Sequence, residues 1–385
     1  MAKKILIDML PFQHTGGVGG ALSFTKAVYD NLFEHKTDDV FVYGIYDSHR
    51  GIAQQYNLFE YAKSHGIELY DVSKKPLRNF ISEKSINCFY IAFGQFYEGI
   101  DLTGIKIKVI MFIHDIFDIE RCDNKIDFSI TDPYKLTLWG RFKRIANLAF
   151  GRYAKQAKKR YHDIMKLYAA ENTISYTVSN YSATALKYYF PEIKKEIQVC
   201  YSPLRKAEIM GVIENSILKE LVESGKKYFF MIAANRIYKN PSIIMKAFMR
   251  ISEEYDVKLL TLKYGKSICK SHIDINYLSD ADMEYAYKHA LALVFPSFFE
   301  GFGYPPIEAI VNGIPAIASN VTSIPEVLGN AGIYFSPFYP ADLYRAMKLV
   351  LDNPSIKDYE LHERAKEITL RQEQDLHKLI KEILK

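Results

Sequence analysis

The chain has 385 residues, of which 49% are hydrophobic and 25% charged, close to the average of a soluble globular protein. This composition excludes a disordered chain, a collagen-like chain and a small disulfide-stapled scaffold, and the length predicts about two domains. The formal net charge is only +5, but it is unevenly distributed: residues 135–166 hold ten Lys or Arg and one acid, Asp163.

The sequence shows no sign of a membrane-spanning or exported protein. No stretch approaches the ~20 consecutive apolar residues of a transmembrane helix. The first residues, MAKKILIDML, lack a small-residue cleavage site and predict no signal peptide. The four cysteines lie far apart without a C-x-x-C pair, which argues against a zinc site and a redox motif. We therefore expect a cytoplasmic protein.

Short apolar runs predict buried strands of parallel sheets, because strands covered on both faces read as continuous apolar stretches. These runs are residues 5–8, 105–113, 174–178, 228–233 and 291–295. Helical patterns separate them. After Gly20, for example, Phe24, Val28 and Leu32 recur at steps of three and four, which predicts one buried face of a helix.

Alternating strands and helices predict an α/β fold with helices on both faces of each sheet. A domain boundary is expected at 202–206, since Pro203 ends a strand-like stretch and a new strand begins near Lys227. The last residues, from Asp358, predict a helix with one apolar face formed by Leu376, Leu379, Ile380 and Ile383. We expect two doubly wound, Rossmann-like domains facing a cleft, 1–205 and 206–365, with helix 366–385 rejoining the first.

Four clusters of polar or glycine residues follow predicted strands, at the edge where open α/β sheets bind ligands. The first is a glycine-rich loop, His14–Gly20, which contains Gly16 and Gly17 and precedes a helix. Such a loop lets a ligand approach the backbone, and the helix start favours an anion. The spacing is not G-x-G-x-x-G, because Leu22 occupies the last position. A plain loop-to-helix turn is the alternative.

The second and third clusters offer a histidine and two cations. His114 follows the run 105–113, where a structural histidine is the alternative to a functional one. Arg236 and Lys239 follow the run 228–233 in the sequence NRIYKN. A guanidinium and an ammonium at a strand end suit a diphosphate, although a solvated surface turn has the same composition.

The fourth cluster carries two carboxylates, Glu300 and Glu308, around a glycine-containing loop. Pro305 or Pro306 is expected to open a helix that Gly313 ends. The amides of Phe302, Gly303 and Tyr304 would then be available to an anion or a sugar hydroxyl. Glu308 has an alternative explanation as an acid that favours a helix start, whereas Glu300 has none.

A possible metal motif, Asp280-Ala281-Asp282, is interpreted as a helix cap. It opens a predicted helix directly after Ser279, where acids are expected from capping and the helix dipole. We therefore predict no metal site.

The stretch FPSFFEGFGYPPIEAIVNGIPAIASNVTSIPEVLGNAGIYFSP resembles the signature of the family four, GT-B-fold retaining glycosyltransferases (glycosyl transferases group 1). Its Glu-x7-Glu element corresponds to Glu300 and Glu308. The family's basic pair, glycine loop and histidine correspond to Arg236 and Lys239, to Gly16-Gly17 and to His114. The resemblance is strong over 226–340 and weak over 30–105 and 120–170.

The resemblance implies a GT-B fold and transfer of a sugar, with retention and without metal or other cofactor, from a nucleotide-sugar donor to a glycan or lipid-linked acceptor. It implies catalytic roles for Glu300 and His114. The donor-binding residues that it implies are Gly16, Gly17, Arg236, Lys239, Phe302, Gly303 and Glu308. The chemistry of these residue types agrees with the implied roles. Cations stabilise a departing diphosphate, and a carboxylate stabilises an oxocarbenium-like sugar.

Two departures from the family pattern affect the nucleotide pocket. Alanine replaces the usual glycine before the basic motif, at Ala233 or Ala234, and the stretch 260–265 lacks the expected glycine pair. Two other functions stay open: another GT-B enzyme, such as an epimerase or a phosphorylase, and a non-catalytic subunit that binds sugar nucleotides.

The basic segment 135–166 interleaves its cations with aromatic residues. One interpretation is a solvated helical face with the aromatics turned into the core. Another is nucleic-acid binding, for which the sequence contains no module signature, so no nucleic-acid partner is predicted. The third is peripheral docking on the anionic inner face of a membrane, where each Lys or Arg contributes about 1 kcal/mol. The resemblance favours the third, because relatives use lipid-linked acceptors.

Overall fold

The structure is a computed structural model, and it describes residues 2–13, 20–51, 57–74, 76–96, 101–123, 138–204 and 211–385. The chain forms two compact units. The N-terminal unit comprises Met1–Cys122, Ala154–Arg205 and Arg371–Lys385, and the C-terminal unit comprises Asp123–Tyr153 and Lys206–Leu370. Asp123–Tyr153 thus groups with the C-terminal unit, where the sequence analysis placed it in the first domain.

The N-terminal unit contains a seven-stranded parallel sheet in the order β3-β2-β1-β4-β5-β6-β7. In β1, Ile5 pairs with Val42 of β2 on one side and Cys88 of β4 on the other. The strands are β1 (Lys3–Asp8), β2 (Val40–Tyr46), β3 (Glu68–Asp71), β4 (Cys88–Ile91), β5 (Lys108–Phe112), β6 (Asn172–Thr177) and β7 (Ile197–Val199).

Helices alternate with these strands, as the sequence predicts. Phe24, Val28 and Leu32 of the first helix are fully buried, which confirms the predicted apolar face. The helices before the C-terminal sheet are α1 (Gly20–His35), α2 (Leu58–Ser64), α3 (Leu77–Lys84), α4 (Phe117–Asp123), α5 (Leu138–Ala149), α6 (Arg152–Leu167), α7 (Asn180–Tyr189) and α8 (Ser216–Glu223).

The C-terminal unit contains a six-stranded parallel sheet in the order β10-β9-β8-β11-β12-β13. The central strands β8 and β11 are buried along their whole length. The strands are β8 (Tyr228–Met231), β9 (Lys258–Leu262), β10 (His272–Ile275), β11 (Ala292–Phe295), β12 (Ala316–Ser319) and β13 (Gly332–Phe335).

The remaining helices cover this sheet and return the chain to the N-terminal unit. They are α9 (Pro241–Glu254), α10 (Asp280–His289), α11 (Tyr304–Val311), α12 (Ile324–Leu328), α13 (Pro340–Asp352) and α14 (Asp358–Leu384). The end of α14 buries Leu379, Ile380 and Ile383, as predicted. Among the described residues, no helix combines the length and apolarity that a membrane crossing requires.

Strand order reverses once in each sheet, and these reversals locate the candidate ligand edges. In the C-terminal sheet β9 and β10 lie on one side of β8, while β11, β12 and β13 lie on the other. The loops after β8 and β11 therefore leave neighbouring strand ends in different directions and open a crevice between them. In the N-terminal sheet the corresponding point lies between β1 and β4. Ligands of open α/β sheets bind at such points.

Candidate functional site

Lys239 and Glu300 meet at the switch point of the C-terminal sheet. Lys239 Nζ donates to Glu300 Oε1, although the residues lie in different loops, one after β8 and one after β11. Their side chains are only 9% and 13% exposed. Lys239 Nζ also lies 4.5 Å from the ring centroid of Phe295. The site thus holds a cation and a carboxylate that are both largely removed from water, where charge interactions are stronger than at an open surface.

Arg236 supplies a second cation on the same loop as Lys239. Its Nη1 donates to the hydroxyl of Tyr238 at 3.0 Å, and the side chain is half-buried. The amide of Phe298 donates to the Tyr238 carbonyl at 2.9 Å, which ties the loop after β8 to the loop after β11. The structure therefore pairs Lys239 with Glu300 and places Arg236 on the same loop as Lys239.

Two residues that sequence reasoning missed fix the backbone around Glu300. The buried hydroxyl of Ser323 donates to the carbonyls of Glu300 and Phe302 at 3.0 and 3.1 Å. The amide of Glu300 donates to Thr322 Oγ1 at 3.1 Å. Ser323 occupies the N-cap position of α12, but its side chain makes no capping hydrogen bond there. Its hydroxyl hydrogen-bonds the loop that contains Glu300 instead. The available signal was a Thr-Ser pair directly before the Ile-Pro start of α12.

Gly303 and the start of α11 shape the other side of this loop. Gly303 has φ +98°, a left-handed conformation that glycine adopts without the strain of a Cβ. Helix α11 begins at Tyr304 with prolines in its first positions, and Gly313 follows its end with φ +77°. The predicted helix start and stop are thus confirmed. Phe302 is buried.

Glu308 lies on α11, beyond its first turn. No acid occupies the first turn of this helix, so the alternative explanation of Glu308 as a helix-start acid does not apply. Glu308 Oε2 accepts a hydrogen bond of 2.8 Å from the hydroxyl of Tyr287 on α10. Tyr287 is the partner that orients this carboxylate, and the sequence analysis did not identify it.

The two departures from the family pattern have structural explanations. Ala233 has φ +55°, so alanine adopts here the left-handed conformation that favours glycine, at a cost of about 1–2 kcal/mol. At the end of β9, the carboxylate of Asp274 accepts the amides of Tyr264 and Gly265 at 2.8 and 2.7 Å and the hydroxyl of Thr261 at 2.6 Å. These bonds fix the loop that lacks the expected glycine pair.

Asp282 is engaged in helix capping, as predicted. It forms a capping box with Ser279 at the start of α10, and its Oδ1 accepts the amides of Glu214 and Asn215 at 3.0 and 3.2 Å. Within the described ranges, no group of three or more His, Cys, Asp or Glu has the arrangement of a metal site.

His114 lies in the N-terminal unit, directly after β5. It is buried against the rings of Phe93 and Phe24, at centroid distances of 3.9 and 4.5 Å. Its Nε2 lies 2.9 Å from the carbonyl of Ala92 and must carry the proton, because a carbonyl only accepts. Burial lowers the pKa of His114 to about 3, so the ring is neutral near pH 7. Its Nδ1 is then an acceptor with no partner among the described residues.

Gly16 and Gly17 lie outside the described residues, so their predicted role stays a prediction. They follow β1 in the sequence. Gln13, the last described residue before them, exchanges two hydrogen bonds of 2.8 Å between its side-chain amide and the backbone of Asp47.

Residues 212–371 match the family described as glycosyl transferases group 1. The chain is 49% identical over 63 residues to O-antigen chain mannosyltransferase B of Escherichia coli, covering 16% of each protein. It is 29% identical over 176 residues to O-antigen chain mannosyltransferase RfbU of Salmonella typhimurium, covering 43% of this chain and 46% of the relative. The chain thus matches less than half the length of these relatives.

Among solved structures, sucrose-phosphate synthase from Thermosynechococcus elongatus is similar in fold. The structural alignment covers 98% of this chain and 97% of that protein. The TM-score is 0.66 and the identity 11%, so the likeness concerns the fold alone. Each unit has the doubly wound parallel sheet of a GT-B domain, and the basic pair and both glutamates lie within the matched region. The fold is GT-B, and residues 212–371 of the chain resemble the glycosyl transferases group 1.

Proposed function

We propose that the protein transfers a mannosyl residue from a nucleotide-sugar donor to a hydroxyl of a glycan or lipid-linked acceptor, with retention of anomeric configuration. The observation that carries this proposal is the shielded contact of Lys239 with Glu300, beside Arg236, at the switch point of the C-terminal sheet. Such a pair places a diphosphate-binding cation next to a sugar-binding carboxylate. The choice of mannose rests on the two mannosyltransferase relatives.

In this proposal the C-terminal unit holds the donor. Arg236 and Lys239 bind the diphosphate, with Arg236 offering a planar fork and Lys239 a point charge. Glu308, oriented by Tyr287, accepts hydrogen bonds from the ribose hydroxyls. Glu300 and the backbone at Phe302 and Gly303 bind the sugar. The fixed backbone around Glu300 supports this role, because a preorganised group loses little free energy in reorganising during the reaction.

Gly16, Gly17 and His114 are also assigned to the donor in this proposal. Gly16 and Gly17 bind the diphosphate through backbone amides in this proposal. His114 is neutral near pH 7, so it acts by accepting a hydrogen bond from a sugar hydroxyl at Nδ1 rather than as a cation.

The reaction breaks the bond between C1 of the sugar and the diphosphate oxygen. Negative charge accumulates on the departing diphosphate, and Arg236 and Lys239 stabilise it. The acceptor oxygen forms its bond to C1 on the face that the diphosphate leaves, and the acceptor proton passes to the departing phosphate oxygen. Glu300 stabilises positive charge on the sugar. No covalent intermediate with the protein is required.

Product analysis tests the function. The purified chain is incubated with GDP-, UDP- or ADP-mannose and a mannose-containing oligosaccharide acceptor, and the product is examined by mass spectrometry and NMR. We expect one added hexose and an anomeric configuration equal to that of the donor. An inverted product would contradict retention, and nucleotide-sugar binding without transfer to any acceptor would favour a non-catalytic subunit.

Removal of divalent metals is expected to leave the transfer rate unchanged within about twofold. In this proposal Arg236 and Lys239 stabilise the charge of the departing diphosphate, a task that a divalent ion performs in metal-dependent enzymes, and Asp282 is occupied by capping bonds. The measurement compares initial rates with and without an excess of EDTA. Loss of activity that manganese restores would return Asp280 and Asp282 to consideration as metal ligands.

A further inference from the structure

Helix α5 turns its apolar face outward. Trp139 is 72% exposed, Phe142 61% and Ile145 50%, and Phe150 directly after the helix is 82% exposed. The steps of three from Trp139 to Ile145 place these side chains on one helical face, which a helix of a globular protein normally turns into the core. The rings of Trp139 and Phe142 stack on each other, with 5.8 Å between their centroids. The interpretation with aromatics turned into the core is therefore wrong for α5.

The charge of the segment indicates what this face meets. The sequence of α5 contains three cations and no acid. The next helix, α6, packs Ile164 and Leu167 into the core of the N-terminal unit and exposes Arg152, Lys155 and Lys158. Exposed aromatics together with a surplus of cations characterise helices that lie in the interface of an anionic bilayer.

We propose that α5 docks the protein on an anionic lipid bilayer, inserting Trp139, Phe142, Ile145 and Phe150 between the headgroups. Insertion is assigned to α5 and Phe150 alone. The cations of α6 attract the chain to the negative surface, an effect that extends over about 8–10 Å and requires no fixed geometry between the two helices. The proposal is independent of sugar transfer, since lipid binding can be measured without donor or acceptor.

The chain contains its own reporter, because Trp139 is its only tryptophan. The full chain is mixed with vesicles of phosphatidylcholine alone or of equimolar phosphatidylcholine and phosphatidylglycerol, and sedimentation and tryptophan emission are recorded. With the anionic vesicles we expect co-sedimentation, a shift of emission to shorter wavelength and quenching by brominated lipid. With phosphatidylcholine alone, and at high salt, binding should be at least about tenfold weaker.

Two pairs of matched variants separate insertion from attraction. Phe142→Ser with Phe150→Ser should weaken binding about tenfold or more, whereas Tyr188→Ser with Tyr359→Ser, at sites 74% and 76% exposed, should not. Lys155→Glu with Lys158→Glu should remove the preference for anionic vesicles. Lys187→Glu with Lys266→Glu makes the same change of net charge at other exposed positions and should preserve that preference. Thermal unfolding checks that each variant is folded.

Three outcomes would overturn the proposal. One is equal recovery with both vesicles or with neither. Another is sedimentation without any change in Trp139 emission, which would indicate surface charge without insertion. The third is displacement of the chain from vesicles by a short nucleic-acid duplex together with tight duplex binding, which would assign the segment to nucleic acid.

Discussion

Glu300→Gln is expected to lower the rate of sugar transfer by about 100- to 1,000-fold, the effect of removing one preorganised electrostatic group from an active site. The substitution preserves the size of the side chain and its capacity to accept a hydrogen bond. It removes the negative charge that, in our proposal, stabilises positive charge on the sugar. The fold should persist, because Ser323 and Thr322 hold this loop through the backbone of Glu300 and not through its side chain. Initial rates with the donor identified by product analysis provide the measurement.

A second measurement on the same variant distinguishes a catalytic role from a structural one. Glu300 and a diphosphate compete for Lys239 in our proposal, so Glu300→Gln should bind the free nucleoside diphosphate as tightly as the wild type or more tightly. Glu284→Gln is the matched control, since Glu284 pairs with Lys288 on the surface of α10, and it should leave both quantities unchanged. A Glu300→Gln enzyme with more than half of the wild-type rate would remove Glu300 from the mechanism.

Five strands, β1, β5, β6, β8 and β11, could be predicted from sequence because each lies in a continuous apolar run. The fully buried strands β4 and β12 were not predicted. The runs at 228–233 and 291–295 correspond to β8 and β11, and these two central strands position the site. The edge strand β3 escaped prediction for the converse reason. Strand β3 (Glu68–Asp71) is partly exposed and carries two acids, so neither its composition nor its length distinguishes it from a loop.

The site could be predicted only as far as residue types and spacing reach. Spacing predicts Arg236, Lys239 and Glu300 at strand ends, and the parallel sheet brings Lys239 and Glu300 into contact. It could not reveal that Lys239 pairs with Glu300, since 61 residues separate them. The supporting contacts of Ser323 and Tyr287 likewise join elements that are distant in sequence. Such contacts depend on how neighbouring strand ends pack, which apolar periodicity does not encode.

Lys239→Met is expected to weaken binding of the free nucleoside diphosphate about tenfold or more. A charge-assisted hydrogen bond contributes roughly 1.5–3 kcal/mol, and 1.4 kcal/mol corresponds to a factor of ten. Methionine is an unbranched side chain of similar length that lacks the ammonium, which lies 4.5 Å from the ring centroid of Phe295, so the loss reports the charge more than the packing. Isothermal titration calorimetry measures the affinity, and Lys288→Met, which removes a surface ion pair of α10, serves as the matched control.

Because Lys239 pairs with Glu300, the effect of Lys239→Met on diphosphate affinity should depend on whether residue 300 carries a charge. Without Lys239, the carboxylate of Glu300 remains largely shielded from water at the crevice and repels an incoming diphosphate. The double variant Lys239→Met/Glu300→Gln should therefore bind the diphosphate more tightly than Lys239→Met alone, and the coupling between the two positions should be clearly different from zero. Equal affinity of Lys239→Met and wild type would place the diphosphate elsewhere. Strictly additive effects would mean that the ion pair, although present, does not compete with the donor.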